Sequence, residues 1–497
     1  MSLLRVSLLA LLSLTFWSSW AHAERASDRG PNFVIILMDD MGWADLGVQD
    51  PRGSITPNMD ALAQDGIRLT DFSVPHSVCT PSRAALLTGR YPIRNGLTGV
   101  VFPESRVGLP QSEVTLAEAL VAAGYRTGYF GKWHLGHLPE FLPVRQGFET
   151  FNGMPFSNDM AVYARYEGSR IVDFNPDQRF LTRILTEATV GFIDDHKDEP
   201  FLAVLSHPMP HVPLFVSPEF DGVSGRGLYG DVIAELDWSV GAIRTALDER
   251  GLTDDTIIVL LSDNGPWLAF ANHGGLAEPL REGKFSSYEG GLRVPALAAW
   301  PGHFTRGRVL TKPVSSLDIV PTFADLAKVD TSALPPLDGV SQARVWLGAK
   351  EEDLGERVLV YWEGDKISGI RKGEWKLVLP GKERLPRLLA IGWPGAVPAN
   401  ALSLYKIVED ISERRNLVGE EPSKVEELQN EIAVVEALLK SQKGQLPRPL
   451  READLGVTDD LLGAVAPLQT SQEYRKRAIE LRRQALGLSS APDKGSQ

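Results

Sequence analysis

Residues 32–40 of the chain read NFVIILMDD, a run of strand length that ends in two adjacent acids. After the polar Asn32, every residue up to Met38 is apolar, which is typical of a parallel strand covered by helices on both faces of its sheet. Ligands of open α/β sheets bind beyond the carboxyl ends of the strands. The stretch therefore predicts a parallel α/β fold and places Asp39 and Asp40 where its site is expected.

The rest of the chain continues this alternation of strand and helix signals. Further strands are predicted at residues 126–130, 201–206, 256–262 and 296–300. Helices are predicted from Thr56-Pro57 to Gly66, from a capping box of Thr115 and Glu118 to Gly124, and at about residues 181–196 and 228–250. The alternation predicts an α/β protein with a large, mostly parallel central sheet flanked by helices.

A second pair of metal-binding residue types follows another predicted strand. Asp263 and Asn264 come directly after residues 256–262, as Asp39 and Asp40 do after the first strand. One Asp-Asp pair is more commonly part of a solvated loop, but an Asp-Asn pair at the end of a second strand shifts the balance toward a shared cation. A hard divalent cation with oxygen ligands fits these side chains.

The only cysteine of the 497-residue chain lies in residues 77–90, SVCTPSRAALLTGR. A free cysteine is most often a small buried hydrophobic residue. Here Pro81 suits a first helical turn, Arg83 supplies a cation, and Gly89 is a helix stop. Cys79 is therefore expected at a helix N-terminus, where free N–H groups favour an anion or a nucleophile.

The N-terminus has the composition of a secretory signal peptide. Arg5 precedes the apolar residues 8–17, and Ala21-His22-Ala23 offers a cleavage site, so residues 1–23 are interpreted as the leader. A membrane anchor is the weaker alternative because serines interrupt a run that is shorter than the ~20 apolar residues of a membrane span. We therefore expect an exported protein, periplasmic or secreted, without a stable membrane anchor.

Composition limits the partners and the sources of stability. The formal net charge of −13 argues against nucleic acid as a partner, because proteins that bind it usually present a basic surface. A single cysteine cannot form an internal disulfide, so even in an oxidising compartment the stability of the fold must come from packing. An anionic substrate would need a locally positive pocket on this acidic protein.

The motif Cys79-Thr-Pro-Ser-Arg83, followed by Leu87-Thr-Gly-Arg90, resembles the signature of the type I, formylglycine-dependent sulfatases of the arylsulfatase A-like kind. The resemblance implies the fold of the alkaline phosphatase/sulfatase superfamily, with a smaller C-terminal antiparallel sheet and a helix. It also implies that a separate maturing enzyme oxidises Cys79 to Cα-formylglycine, whose hydrate is the nucleophile. An unmodified thiol stays open as the alternative.

The resemblance assigns roles to further residues of this sequence. The residues that match the family's metal ligands, for calcium or alternatively magnesium, are Asp39, Asp40, Asp263 and Asn264. The residues that match its catalytic and sulfate-binding groups are Cys79, Arg83, Lys132, His134, Ser157, His211 and Lys284. His211 is favoured because His-x-Pro fits the family pattern, with His207 as the alternative.

The domain organisation is predicted from how far the resemblance extends. Residues 24–355 are expected to form the catalytic domain, and 356–497 a smaller C-terminal subdomain with strands near 357–362 and 369–377. Residues 379–400 are interpreted as an inserted loop. Residues 445–497 match nothing nameable, and the charged stretch 472–486 is interpreted as a solvated surface helix or, alternatively, an oligomer contact.

These features predict a hydrolase that cleaves aryl or carbohydrate sulfate esters. A formylglycine-dependent phosphodiesterase or phosphonate monoester hydrolase shares the signature and is the nearer alternative, and a non-catalytic extracytoplasmic sugar-binding protein is the more distant one. The leaving group is expected to be recognised by loops such as 159–180, 212–228 and 379–400. They carry no recognisable code, so neither the physiological substrate nor the oligomeric state follows from the sequence.

Overall fold

The computed structural model describes residues 30–50, 55–103, 105–160, 163–381 and 401–440. The predicted leader, residues 382–400 of the predicted loop and the whole of 445–497 lie outside the described residues. No helix in the described part of the chain is long and apolar enough to cross a membrane.

A ten-stranded sheet forms the centre of the molecule. The first strands along the chain are β1 (Asn32–Met38), β2 (Ile67–Leu69), β3 (Phe72–Ser73), β4 (Arg126–Lys132), β5 (Thr150–Met154), β6 (Ala164–Glu167) and β7 (Arg170–Phe174). They are followed by β8 (Phe201–Ser206), β9 (Thr256–Ser262), β10 (Ala296–Ala299), β11 (Arg308–Leu310) and β12 (Val314–Ser315). The sheet order is β11-β2-β10-β9-β1-β8-β4-β5-β6-β7, and β3 pairs separately with β12. The central strands from β9 to β5 run parallel, which confirms the predicted sheet.

Helices cover both faces of this sheet. The helices among the described residues are α1 (Pro57–Asp65), α2 (Cys79–Thr88), α3 (Pro92–Asn95), α4 (Leu116–Ala122), α5 (Leu181–Asp195), α6 (Gly227–Glu249), α7 (Glu289–Leu292), α8 (Ile319–Leu326), α9 (Ala343–Trp346) and α10 (Pro422–Lys440). The alternating side chains of β1 divide between two cores. Phe33 belongs to a core with α2, α4 and α8, whereas Val34 belongs to one with α1, α5 and α6. Each core is closed by helices because β1 is apolar on both faces.

The C-terminal segment forms a second, antiparallel sheet, as predicted. Its strands are β13 (Val358–Glu363), β14 (Lys366–Lys372), β15 (Trp375–Val378) and β16 (Ser403–Lys406), in that order. The helix α10 packs on this sheet through Val425 and Leu428, in a core that also includes Ala85 of α2. The small sheet therefore supports the helix that begins at Cys79.

Local signals account for the ends of several helices. The capping box is formed as predicted: Thr115 Oγ1 accepts from the Glu118 amide at 3.1 Å, and Glu118 Oε2 accepts from the Thr115 amide at 2.7 Å. The helix α2 ends at Gly89, whose φ of 66° suits glycine. The prediction of a loop over 159–180 was wrong, because β6 and β7 form a hairpin within it. These two strands are short and half-exposed, so they lack the continuous apolar run that marks the central strands.

Candidate active site

The residues that follow the central strands meet at the carboxyl edge of the sheet. Asp39 and Asp40 follow β1, Asp263 and Asn264 follow β9, and Lys132 ends β4. All of these side chains are buried. The sequence prediction that the two acidic strand ends lie together is therefore met in the structure.

Asp39 lies between two cations. Its Oδ2 atom accepts a hydrogen bond of 2.6 Å from Lys132 Nζ, and its Oδ1 atom lies 3.5 Å from Arg83 Nη2. Lys132 Nζ also lies 3.1 Å from Ser157 Oγ. The preceding Gly131 lets β4 approach β8, because a Cβ atom there would lie 1.8 Å from the Ser206 carbonyl oxygen. The chain thus brings Lys132 and Ser157 to one side of the site.

Asp40 connects the opposite side. Its Oδ2 atom is 2.7 Å from Lys284 Nζ, and its Oδ1 atom accepts from Asn264 Nδ2 at 2.6 Å. Its backbone has a φ of 69°, and its amide donates to Asp263 Oδ1 at 3.1 Å. A left-handed conformation costs energy outside glycine and persists where surrounding contacts hold it, which is common at functional sites.

A helix begins at Cys79, as predicted, and Cys79 faces the same cluster. Its Sγ atom lies 3.5 Å from Lys284 Nζ and 3.6 Å from Asp39 Oδ1. Burial nevertheless raises the pKa of the Cys79 thiol far above its usual range. The expectation that the helix N-terminus favours a negative charge is therefore overridden by burial for an unmodified thiol, which stays protonated and is a weak nucleophile.

Arg83 lies beneath the site and connects several of its elements by hydrogen bonds. Its Nε atom donates to Asp263 Oδ2 at 2.8 Å, and its Nη1 atom donates to the Lys132 carbonyl at 2.8 Å and to Ser206 Oγ at 2.7 Å. It lies one helical turn after Cys79, so α2 delivers both side chains to the same place. One guanidinium therefore joins α2, β4, β8 and the end of β9.

His211, and not His207, contacts this cluster. The Nδ1 atom of His211 faces two acceptors, Asn158 Oδ1 at 3.1 Å and the Val212 carbonyl at 2.6 Å, so Nδ1 carries the proton. Its Nε2 atom lies 3.6 Å from Asp40 Oδ2. His207 instead forms a hydrogen bond of 3.0 Å with Ser239 of helix α6. This geometry favours His211 for the chemical role.

His134 is suited to accept a proton. Its Nε2 atom lies 3.0 Å from the Val101 carbonyl, which can only accept, so Nε2 carries the hydrogen. Its Nδ1 atom is buried without a hydrogen-bond partner in the described residues. Burial, followed by Lys132, lowers the pKa of His134 well below its usual value. Thr80 Oγ1 donates to the His134 carbonyl at 2.9 Å and so ties it to α2.

Buried charges of opposite sign cancel within the cluster. Three carboxylates (Asp39, Asp40 and Asp263) face three cations (Arg83, Lys132 and Lys284). Burial raises the pKa of Asp40 to about 7, although Lys284 lowers it. Burial also raises the pKa of Asp39, but Lys132, His211 and Arg83 outweigh it and lower the pKa overall. A divalent cation would give the site the positive charge that an anionic substrate requires.

The chemistry of the donor set fits such a cation. Asn264 Oδ1 is buried without a partner in the described part of the chain, and a carboxamide can be turned over to present that oxygen to a metal. The Asp40 carboxylate also faces the acceptor Nε2 of His211, a contact that needs a proton or a cation between the two atoms. Potential ligand atoms of Asp39, Asp40, Cys79 and His211 lie within 4.8 Å of one another. Because a hard cation prefers oxygen, Asp263 and Asn264 are the better partners for the two acids.

The sequence analysis assigned no role to two neighbours of the site, Trp267 and Asn158. The ring of Trp267 packs edge-on against His211, with centroids 5.6 Å apart, and Lys284 Nζ lies 4.7 Å from the Trp267 ring centroid. Asn158 orients His211 through the contact described above. Only their positions, three residues after Asn264 and directly after Ser157, indicated a role.

Comparison with known proteins agrees with this geometry. The sulfatase family profile matches residues 31–329. The chain belongs to the sulfatase family. It is 41% identical to human (Homo sapiens) arylsulfatase A over 385 residues, 71% of this chain and 76% of the relative. It is 36% identical to human N-acetylgalactosamine-6-sulfatase, over 70% of this chain and 71% of the relative.

Solved sulfatase structures share the fold. The crystal structure of PsFucS1 sulfatase from Pseudoalteromonas sp. aligns with a TM-score of 0.76 at 25% identity, over 86% of this chain and 95% of that one. The named relatives, including a steryl-sulfatase of Rattus norvegicus, are hydrolases of sulfuric esters. The predicted fold, family and enzyme class are therefore confirmed, and the protein is a sulfatase.

Proposed function

We propose that this sulfatase hydrolyses aryl or carbohydrate sulfate esters through a Cα-formylglycine made from Cys79 by a separate maturing enzyme. The observation that carries the proposal is the convergence of Cys79 Sγ with Lys284 Nζ at 3.5 Å and Asp39 Oδ1 at 3.6 Å, at the start of a helix. An unmodified thiol is protonated there, whereas an aldehyde hydrate presents hydroxyl groups. The alcohol and inorganic sulfate are the products.

Binding of the sulfate group is assigned to the cations around this position. Lys132, Lys284 and Ser157 would donate to the sulfate oxygens, because their polar atoms line the two sides of the buried cluster. A calcium or magnesium ion held by Asp39, Asp40, Asp263 and Asn264 would supply further positive charge when bound. In many enzymes, the largest part of transition-state stabilisation comes from fixed charges that face the negative charge developing on the substrate.

Proton transfers are assigned to the two histidines and to Lys284. As one hydroxyl of the hydrate attacks sulfur, an aspartate of the cluster such as Asp39, whose Oδ1 atom lies 3.6 Å from Cys79 Sγ, would accept the proton of that hydroxyl. His211 together with Lys284 would protonate the departing oxygen. Burial, followed by Lys284, lowers the pKa of His211 in the free site, and the negative charge of a bound sulfate ester favours the protonated ring. His134 would then take the proton of the second hydroxyl through Nδ1, so that the aldehyde re-forms and sulfate leaves. Arg83 would hold the hydrate and Asp263 in place.

We also propose that the protein is exported before it hydrolyses its substrate. The leader predicted over residues 1–23 would direct the chain to the periplasm or the medium, and only the chain from residue 24 would carry the activity. Expression with the leader, followed by N-terminal sequencing of the exported protein, tests this step. Retention of residues 1–23 in the exported, active protein would contradict it.

The reaction class is tested with the matured protein and calcium. We expect kcat/KM for an aryl sulfate to exceed that for an aryl phosphodiester. The opposite order would favour the phosphodiesterase or phosphonate hydrolase activity, and an absence of turnover on all of these esters would favour a non-catalytic binding protein. The Cys79→Ala variant, which should fold and be inactive, is the control for contaminating esterases.

A further inference from the structure

The loop that carries Lys284 is held in an unfavourable conformation. We call residues 278–289 the lysine loop. It is closed by a hydrogen bond of 2.8 Å from the Gly290 amide to the Arg281 carbonyl. Glu282 and Phe285, on either side of the lysine, have φ values of 60° and 71°. Such conformations are unfavourable for residues other than glycine and persist only where the surroundings hold them. The lysine loop therefore needs external support.

That support comes from the C-terminal subdomain, at Ser412 and Glu413. Glu413 Oε2 accepts from the Glu289 amide at 2.6 Å, and the Glu413 carbonyl accepts from Arg281 Nη1 at 2.9 Å. Ser412 Oγ donates to the Pro279 carbonyl at 2.6 Å. These contacts hold the lysine loop on both sides of Lys284, at Pro279 and Arg281 before it and at Glu289 after it. Glu413 itself has a φ of 51°, so it too is held in a costly conformation.

A buried lysine of the small sheet joins these carboxylates. Lys376 of β15 is fully buried, and its Nζ atom lies 2.8 Å from Glu289 Oε1 and 2.9 Å from Glu413 Oε1. Arg371 of β14 and Arg293 lie 3.8 and 3.4 Å from Glu289. Removing one partner from a buried charge pair is strongly destabilising, so this cluster is a firm attachment between the lysine loop and the sheet.

We infer that Glu413 is a positioning residue for Lys284, so that the C-terminal subdomain takes part in catalysis by setting where the Lys284 ammonium lies. This inference rests on the proposed role of Lys284 toward the sulfate ester. Arg281 lies three residues before Lys284 and Glu289 five residues after it, so a shift at either anchor is passed to the lysine. A displacement of about 1 Å at a reacting group can cost on the order of 10²-fold in rate.

We call the contacts of Glu413 with Glu289 and Arg281 the clamp. The test uses two variants of the clamp and one matched control. Glu413→Gln keeps an acceptor for the Glu289 amide and removes the charge that faces Lys376. Arg281→Met removes the bonds to the Glu413 carbonyl and to the Tyr405 hydroxyl, and is milder because Arg281 is only half-buried. The control, Arg357→Met, breaks a different tie of the small sheet, the bonds of 2.8 and 3.0 Å from Arg357 to Asp318.

The readout is kcat/KM for a series of aryl sulfates whose phenols differ in pKa, measured on folded, matured protein. Both clamp variants should lose on the order of 10–100-fold, with the greatest loss for the poorest leaving groups. Arg357→Met should lower the melting temperature without changing the dependence on the leaving group. Equal leaving-group dependence in the wild type and Arg281→Met would overturn the inference, and Arg281→Met decides alone if Glu413→Gln does not fold.

Lys284→Met separates this inference from the proposed function. If Lys284→Met is inactive while both clamp variants behave like the wild type, the positioning role of Glu413 is wrong and the role of Lys284 stands. If Lys284→Met keeps wild-type kcat/KM, the proposed role of Lys284 is wrong, and the inference about Glu413 is wrong with it.

Discussion

Replacement of Arg83 by methionine tests whether the acidic cluster is held by internal cations in the metal-free protein. The Arg83 guanidinium donates to Asp263, to the Lys132 carbonyl and to Ser206 at 2.7–2.8 Å, and it is almost completely buried. Methionine keeps much of the chain length and removes the charge. The three buried carboxylates would then face only the two lysines of the site.

The expected cost follows from burial. Breaking a buried ion pair by removing one partner costs about 3–5 kcal/mol, a large part of the ~5–15 kcal/mol by which most domains are stable. A bound divalent cation would replace part of the positive charge that the carboxylates lose with Arg83. Two unit charges 4 Å apart interact by about 4 kcal/mol at an effective dielectric constant of about 20, so calcium should reduce the cost by more than about 1 kcal/mol.

The assay is urea unfolding of the wild type and the variant, with a chelator and with saturating calcium. Arg94→Met is the matched control, because Arg94 also makes a nearly buried, bidentate pair, with Asp338 at 2.7 and 2.8 Å, outside the acidic cluster. The loss in free energy of unfolding caused by Arg94→Met should be the same with the chelator and with calcium. A cost of Arg83→Met that does not change with calcium, or an equal calcium effect on Arg94→Met, would refute the reasoning.

Three further predictions follow from the histidines and from a buried acid. His134→Ala should release about one equivalent of phenol from an activated aryl sulfate and then stall, since a positioned base contributes about 10²–10⁴-fold to its step; steady turnover would show that its role is misassigned. His211→Ala should slow the reaction most for poor leaving groups, whereas His207→Ala, which loses only the bond to Ser239, should not alter that dependence; the reverse result would transfer the role to His207. Burial raises the pKa of Asp45 to about 7, against about 3.9 in an unfolded chain, so its contribution to stability is present below pH 4 and is lost as the pH rises through 7. Urea unfolding from pH 4 to 8 should show a flatter decline for Asp45→Asn than for the wild type, and parallel curves would contradict this assignment.

The central strands could be predicted because both of their faces are buried. An uninterrupted apolar run marks β1, β8 and β9, and the residues just beyond them form the site. The edge strands β6 and β7 were missed because their half-exposed residues alternate without an apolar run. Chain order and residue type thus reveal the interior of the sheet better than its edges.

Long-range contacts explain what the sequence did not reveal about the site. The attachment of Glu289 to Lys376 and Glu413 joins segments 87 and 124 residues apart, and no local pattern encodes it. The same holds for Cys79, because its helix N-terminus was predictable whereas the burial that raises the pKa of its thiol was not. The His-x-Pro pattern favoured His211 over His207, but the different contacts of the two histidines, with Asp40 and with Ser239, could not be read from it.

Mass spectrometry of the peptide that contains Cys79, measured on the same samples as the sulfatase activity, tests the central claim most directly. Protein made with the maturing enzyme should carry an oxygen in place of the sulfur and two hydrogens of Cys79, and its activity should rise in proportion to the modified fraction. Full turnover by protein whose Cys79 is entirely an unmodified thiol would contradict the formylglycine mechanism.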